Sequence, residues 1–263
     1  MKVSLITGGS SGIGEAFARR LAKEKHDLVL VSRNQKKLHE LCDELMLKHG
    51  ISAHYVAIDL SESDGPKRVF EETSKHGMDV HLLINNAGFG SMGDFAELHG
   101  ERELEMIRLN ISALVELTHL YLSPMRVRGT GAIINVASTA SFQPIPYMAT
   151  YAATKAFVTS FTEAIAEENR GFGIRISALC PGPTATNFFD AADAAPFTAK
   201  GMQTSEDVVE IGLKGIRDGK PKIISGLRNA IGARLVAFIP NRLITRNVAR
   251  YLKPKLQEKK KLK

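Results

Sequence analysis

Cysteine is almost absent: Cys42 and Cys180 are the two in 263 residues, and neither belongs to a CxxC pair. That excludes a disulfide framework and favours a reducing compartment, so a cytoplasmic location is expected. The eight histidines include no HxH or HExxH spacing, which speaks against a catalytic metal. No uncharged apolar run approaches the roughly 18 residues of a membrane span. The opening Met1–Thr7 stretch passes directly into Gly8-Gly9. It offers no apolar core of the roughly 7–15 residues that a secretory signal requires. Low-complexity tracts are missing as well. With 44% apolar and 24% charged residues, the chain has the composition of an ordinary soluble globular protein.

An excess of positive charge is present but localised. The net charge is +7, and residues 251–263 contribute +5 of it through lysines 253, 255, 259, 260, 261 and 263 against Glu258. The rest of the chain holds only +2, so a basic tail is implied and a nucleic-acid surface is not.

Short Val/Ile/Leu-rich runs alternate with segments whose apolar residues recur every three or four positions. The strands expected are Lys2–Thr7, Asp27–Ser32, Ala53–Ile58, Val80–Ile84, Gly131–Val136, Ile174–Leu179 and Lys222–Ile224. Such alternation predicts a parallel seven-stranded sheet covered by helices on both faces, the doubly wound Rossmann arrangement. Residues 1–225 are read as one dinucleotide-binding and catalytic domain. Residues 226–263 are read as an amphipathic tail split by Pro240 into two short helices. That tail either covers the core or the substrate entrance, or attaches to anionic membrane through its terminal lysines.

Four motifs carry chemistry. Thr7-Gly8-Gly9-Ser10-Ser11-Gly12-Ile13-Gly14 follows the first strand and opens the first helix. There glycines permit close approach to a pyrophosphate, and a helix N-terminus supplies free N–H groups. The spacing is Gly-x3-Gly-x-Gly rather than GxGxxG. At the end of the second strand, where NAD binders place a carboxylate, stand Ser32 and Arg33, which suit a 2′-phosphate and hence NADP. The alternative is that Arg33 is a solvated residue at a helix start. Asn85-Asn86-Ala87-Gly88 ends the fourth strand, as ligand or as turn. Ser138 then precedes Tyr151-Ala152-Ala153-Thr154-Lys155, whose i,i+4 spacing puts the phenol and the ammonium on one helix face. The cation is expected to lower the phenol toward neutrality and make Tyr151 a general acid/base.

Together with Pro181-Gly182-Pro183-Thr184-Ala185-Thr186, these motifs resemble the short-chain dehydrogenase/reductase family, collinear over residues 1–225. The resemblance implies a catalytic tetrad of Asn110, Ser138, Tyr151 and Lys155. In it Tyr151 donates the proton, Ser138 polarises the carbonyl, Lys155 tunes Tyr151 and holds the ribose, and Asn110 anchors a water. It implies that Asp59 and Leu60 border the adenine, Asn86, Ala87 and Gly88 the adenosine ribose, and Pro181, Gly182, Thr184 and Thr186 the nicotinamide end. Ser32-Arg33 resembles the NADPH-preferring branch, and Asn86-Ala87-Gly88-Phe89-Gly90 with the basic amphipathic tail is similar to a subgroup of broad carbonyl reductases. Helices in 101–121 and around Tyr151 would build homo-oligomer interfaces.

The segments expected over the reacting centre are 89–95, 139–148 and 187–202. They bring Phe89, Phe142, Phe188 and Phe189 among other apolar residues, and Lys200 as their only cation. A hydrophobic ketone or aldehyde is the expected substrate. Oxidation of an alcohol by the same residues, and a non-catalytic dinucleotide-binding regulator, are the competing readings.

Overall fold

The computed structural model describes residues 1–186 and 202–262. Its strands are β1 (Lys2–Thr7), β2 (Asp27–Ser32), β3 (Ala53–Ala57), β4 (Asp79–Asn85), β5 (Gly131–Val136), β6 (Ile174–Cys180) and β7 (Lys222–Ile224). Helices α1 (Gly12–Lys23), α2 (Gln35–His49), α3 (Gly65–Lys75), α4 (Gly100–Ile107), α5 (Leu114–Arg128), α6 (Ala149–Glu168) and α7 (Ser205–Arg217) connect them. Two more, α8 (Leu227–Val236) and α9 (Asn241–Leu262), follow β7. Local chemistry punctuates them. The Asn34 carboxamide caps α2 by accepting from Lys37 N at 3.0 Å, and Thr204 Oγ1 caps α7 by accepting from Asp207 N at 3.1 Å. Gly50 and Gly129 end α2 and α5 at positive φ.

All seven strands are parallel, in the order β3-β2-β1-β4-β5-β6-β7. Successive side chains of a strand face opposite layers, and the two cores divide accordingly. Ile6, Leu30, Ile84 and Ile134 pack with Phe17, Leu38 and Leu213 from α1, α2 and α7. Their neighbours Leu5, Val29, Leu83 and Ile133 pack with Val69, Leu117 and Ile165 from α3, α5 and α6. Strand order reverses between β1 and β4, so a crevice opens at their carboxyl ends, where open α/β sheets bind ligands.

Two expectations change. The helix pattern over 101–121 is interrupted by a π-helical segment, Arg108–Ala113, between α4 and α5. Leu104 and Ile107 before it are exposed, while Leu114 and Leu117 after it are buried. Pro240 does divide the C-terminal piece, but α9 is long, 22 residues, and accommodates Pro254. Ile244 and Leu252 of α9 are buried against the body of the protein. Among the described residues no helix is long and apolar enough to cross a membrane, and no group of side chains could hold a metal ion.

Candidate active site

Backbone geometry explains the glycines after β1. Gly8 and Gly12 sit at φ 65° and 56°, where side chains are strained. A Cβ on Gly14 would collide with the Gly8 carbonyl and come within 2.6 Å of Asn86 Nδ2. One on Gly12 would press on Thr186 at 3.2 Å. Ser11, the N-cap of α1, makes no side-chain capping bond, so the first turn of that helix keeps its N–H groups available. This bare cradle fits a pyrophosphate.

Thr7 fastens the cradle to the end of β4. Its hydroxyl accepts from Asn86 N and Ala87 N, both at 2.9 Å, and the Asn86 carboxamide donates to Thr7 O at 3.0 Å. Asn85 points inward instead, donating to Thr118 Oγ1 and Asn135 Oδ1. The consecutive asparagines therefore serve two different layers.

Asn110, 1% exposed, lies in the π-helical segment. Its Oδ1 accepts from Phe89 N at 3.2 Å, and its Nδ2 donates to Phe89 O at 3.0 Å and to Thr154 Oγ1 at 3.1 Å. Gly88 lacks a side chain where a Cβ would meet Asn110 Oδ1 at 2.8 Å and Lys155 Nζ at 3.5 Å. Asn110 thus locks the turn after β4 against α6.

Ser138 ends the β5 excursion in extended conformation, and its Oγ accepts from Ala140 N at 3.1 Å. Ser141 Oγ lies 2.6 Å from the Ser138 carbonyl and 2.9 Å from the Lys155 carbonyl, and Thr159 donates to it at 2.9 Å. These hydroxyls stitch the Ser138 loop to α6. Tyr147, four residues before Tyr151, is held at φ 67°, and its carbonyl accepts from Gly93 N at 2.9 Å. Two loops over the site are thereby joined.

Tyr151 and Lys155 are buried on one face of α6. Burial pushes the Tyr151 phenol up to about 12, while a hydrogen bond with the Ser138 hydroxyl acts in the opposite direction. This reverses the expected lowering of the phenol. The ammonium is 5.9 Å from the ring centre and donates to Val136 O at 2.8 Å, so desolvation dominates over its field. Burial likewise brings Lys155 down to about 8.

These groups meet in a cavity of about 910 Å³. Gly8, Ser11, Gly12 and Ile13 line it on one side, Asn86–Phe89 and Val136–Ala140 on another, and Tyr151 and Lys155 at the centre. Pro181–Thr184 and Thr186 complete the sheet side, with Phe142, Ile145 and Met148 above them. Ser10, Gly14 and Asn110 stand behind this surface. Phe95 is 65% exposed and takes no part in it. Phe188 and Phe189 lie outside the described residues. Ser32, Arg33, Asp59 and Leu60 lie beyond the cavity at the ends of β2 and β3. Ser32 Oγ accepts from Asn34 N, and Arg33 Nη1 is 3.4 Å from both Asp59 Oδ2 and Glu105 Oε1. Burial raises the Asp59 carboxyl, but two hydrogen bonds from Ser61 and then the Arg33 charge outweigh it and leave it low. Leu60 is buried in the core.

The C-terminal helices form part of the wall, as expected of a tail that covers the substrate entrance, and they bring polar groups from outside the three segments. α8 contributes Arg228 and Asn229, and α9 contributes Asn247, Val248, Tyr251 and Leu252. The pocket is therefore not free of arginine, because a helix remote in sequence from the three expected segments supplies one. Asn229 donates to Ser225 O at 2.6 Å and abuts Gly182. The sequence does not single out Thr154, Ser141 and Thr159. Their only signal is a polar residue on the buried side of a helix or turn, shared by many structural threonines.

The sequence profile of the short chain dehydrogenase family matches residues 2–196. Ketoacyl reductase HetN of a Nostoc species is 32% identical over 225 residues, 85% of this chain and 78% of its own length. The very-long-chain 3-oxoacyl-CoA reductase of Mus musculus is 32% identical over 189 residues, 70% of this chain, which spans 59% of that enzyme's length. A solved short-chain dehydrogenase from Sphingobium yanoikuyae, in complex with NADPH, superposes with a TM-score of 0.82 at 31% identity, covering 91% of this chain and 97% of that one. A doubly wound sheet whose cradle, tyrosine and lysine converge on one cavity, in a chain so related, belongs to the short-chain dehydrogenase/reductase family, oxidoreductases acting on CH–OH and C=O groups.

Proposed function

We propose that the protein reduces a hydrophobic ketone or aldehyde to the alcohol with NADPH, and that Tyr151 is the proton donor. The observation that carries this reading is the buried Tyr151, hydrogen-bonded to the half-buried Ser138, on the wall of a largely apolar cavity. Gly8, Ser10–Gly14, Asn86–Gly88 and Pro181–Thr186 are suited to hold the dinucleotide, with Asp59 and Leu60 toward its adenine end. When bound, the nicotinamide supplies a hydride. Tyr151 then delivers a proton to the carbonyl oxygen, which Ser138 orients by its hydroxyl. Lys155 compensates the charge left on the phenol, and Asn110 positions Phe89 and Thr154 around them. Asn110 does so by its side chain, and in this reading it also anchors a water of the proton relay while Lys155 holds the nicotinamide ribose.

In the reductive direction the reaction starts from the neutral phenol. A phenol pushed up to about 12 by burial carries its proton throughout the physiological range, the form that a reductase needs at the start of its reaction. Oxidation would begin from the phenolate, which burial disfavours. Phe89, Phe142, Ile145 and Met148 on the cavity wall favour an apolar substrate. The ketoacyl and 3-oxoacyl-CoA substrates named for two relatives likewise carry the reacting ketone on an acyl chain. Leu104 and Ile107 on α4 and Phe157 on α6 remain exposed, and these helices are suited to join subunits of a homo-oligomer.

The deciding experiment is a screen of apolar ketones and aldehydes by loss of NADPH absorbance, with alcohols and NADP as the reverse arm. Turnover of ketones that Tyr151→Phe abolishes is expected. A protein that binds NADPH and turns over neither class would be a regulator, and the proposal would fall.

A further inference from the structure

The two C-terminal helices have a second face. On α8, Arg228, Asn229, Gly232, Ala233 and Val236 form one side and line the cavity. The opposite side carries Leu227, Ile231 and Leu235, which are 77%, 50% and 59% exposed. The stripe continues through the turn with Phe238 at 85% and Ile239 at 44%, and onto α9 with Leu243 at 50%. Leu227, Ile231 and Leu235 are spaced by four and share one face of α8, and Phe238, Ile239 and Leu243 extend the exposed apolar set through the turn into α9. A ridge of six large apolar side chains in water marks an interaction surface.

Charge indicates what the ridge meets. Between Asp218 and Glu258 the sequence has nine lysines and arginines and no carboxylate. Arg234, Arg242, Arg246 and Arg250 are exposed beside the ridge. A second copy of this chain, placed on the same face by two-fold symmetry, would bring its own cations against these and repel. A nucleic acid would leave the apolar ridge without partners. Apolar side chains flanked by guanidinium groups are instead the composition of a helix lying in the interface of an anionic bilayer.

We infer that the α8–α9 hairpin docks the enzyme on anionic lipid through Leu227, Ile231, Leu235, Phe238, Ile239 and Leu243, with the arginines contacting headgroup phosphates. This goes beyond the proposed reductase activity and stands or falls separately from it. The docking helices are also walls of the cavity, so docking brings the cavity wall next to the lipid phase. An apolar substrate dissolved in the bilayer then has the shorter path to Tyr151.

The test is flotation of the full-length protein with vesicles of phosphatidylcholine alone or with a quarter phosphatidylglycerol, at low and high salt. Leu235→Asp/Phe238→Asp and Arg242→Gln/Arg246→Gln are compared with the unmodified chain. Neither pair lines the cavity, so NADPH binding and thermal midpoint serve as controls of folding. The expected result is flotation with the anionic vesicles, reduced at least tenfold by either double substitution and weakened by salt. Three results would overturn the inference. The unmodified protein could fail to float. It could float undiminished after Leu235→Asp/Phe238→Asp, which would assign binding to the terminal lysines alone. Or light scattering could show a dimer that the same substitutions split while no vesicle binding occurs, making the ridge a subunit interface.

Discussion

Arg33 Nη1 is equidistant, at 3.4 Å, from Glu105 of α4 and Asp59 after β3, although 72 residues separate Arg33 from Glu105. The guanidinium therefore stands at the end of β2 with two carboxylates beside it, its side chain 66% exposed. If this is where the 2′-phosphate of NADPH is received, Arg33 attracts it and Glu105 competes with it for the same donor. A charge-assisted hydrogen bond contributes roughly 1.5–3 kcal/mol, and solvent screening at this exposure places the expectation at the lower end, about tenfold in affinity.

Arg33→Ala should accordingly raise the KM for NADPH about tenfold with little change for NADH. Glu105→Gln should lower the KM for NADPH several-fold by freeing the guanidinium. Steady-state kinetics with both cofactors on the three proteins decides this. Equal or better use of NADH by the unmodified enzyme would return Arg33 to the role of a surface ion-pair partner.

Legibility in the sequence followed the range of the interactions. The strands were readable because parallel strands buried on both faces must be nearly continuous in Val, Ile and Leu, as in Leu28–Val31 and Leu82–Ile84. The glycine cradle was readable because close backbone approach leaves no alternative residue at Gly14. By contrast, the Glu105–Arg33 contact and the position of Arg228 depend on how distant helices pack, which periodicity does not encode. The direction of the Tyr151 shift is hidden in the sequence for a related reason. Spacing reveals that Lys155 is near Tyr151, but not that both are buried or that the ammonium is spent on the Val136 carbonyl.

That burial makes the pH dependence specific. Tyr151, up at about 12, stays protonated over the working range, so Lys155, down at about 8, is the group whose charge changes there. The phenolate developing during reduction needs the ammonium. As pH rises through about 8 the cation is lost, so kcat for reduction should be level below that value and decline above it. Lys155→Met should be slower by roughly 10²-fold or more and show no such decline. A kcat that rose through pH 8, or a decline that survived Lys155→Met, would assign the titration to another group.

Tyr151→Phe removes the proton donor but leaves the ring that packs with Met148 and Leu252. General acid catalysis accelerates by roughly 10²–10⁴-fold, and a loss of that size in kcat is expected with the dissociation constant of NADPH nearly unchanged. Retention of a tenth of the rate would remove Tyr151 from the role of donor.

Asn110 has a positioning role that Asn110→Ala would expose. The substitution removes the bonds that Asn110 makes to the half-buried Phe89 N–H and C=O and to Thr154, and a buried polar group left unpaired costs about 1–3 kcal/mol, less where water can reach it. A lowered thermal midpoint is expected together with a fall in kcat, because the turn beside Gly88 and Lys155 is released. Asn110→Asp keeps the acceptor for Phe89 N but loses both donated bonds and buries a charge, so it should be no better than alanine. An unchanged melting point with lost activity would argue instead that Asn110 touches the reacting groups themselves.

The C-terminal helices can be separated from the body of the enzyme by one side chain. Leu252 is 3% exposed and packs with Met92, Met106, Met148 and Tyr151, while its neighbours Val248 and Tyr251 line the cavity. Removing a buried leucine side chain costs about 2–5 kcal/mol when the surroundings cannot relax. Here α9 is a terminal element and can undock, so the loss should appear locally rather than as global unfolding. Leu252→Asp is expected to accelerate proteolytic cleavage within 227–262 while the thermal midpoint of the sheet changes little. It should raise the KM for an apolar ketone by at least tenfold and change the KM for NADPH less, because no residue of α9 is among the groups assigned to the dinucleotide. Unaltered proteolysis and an unaltered ketone KM would mean that α9 closes no part of the substrate site, whatever its packing.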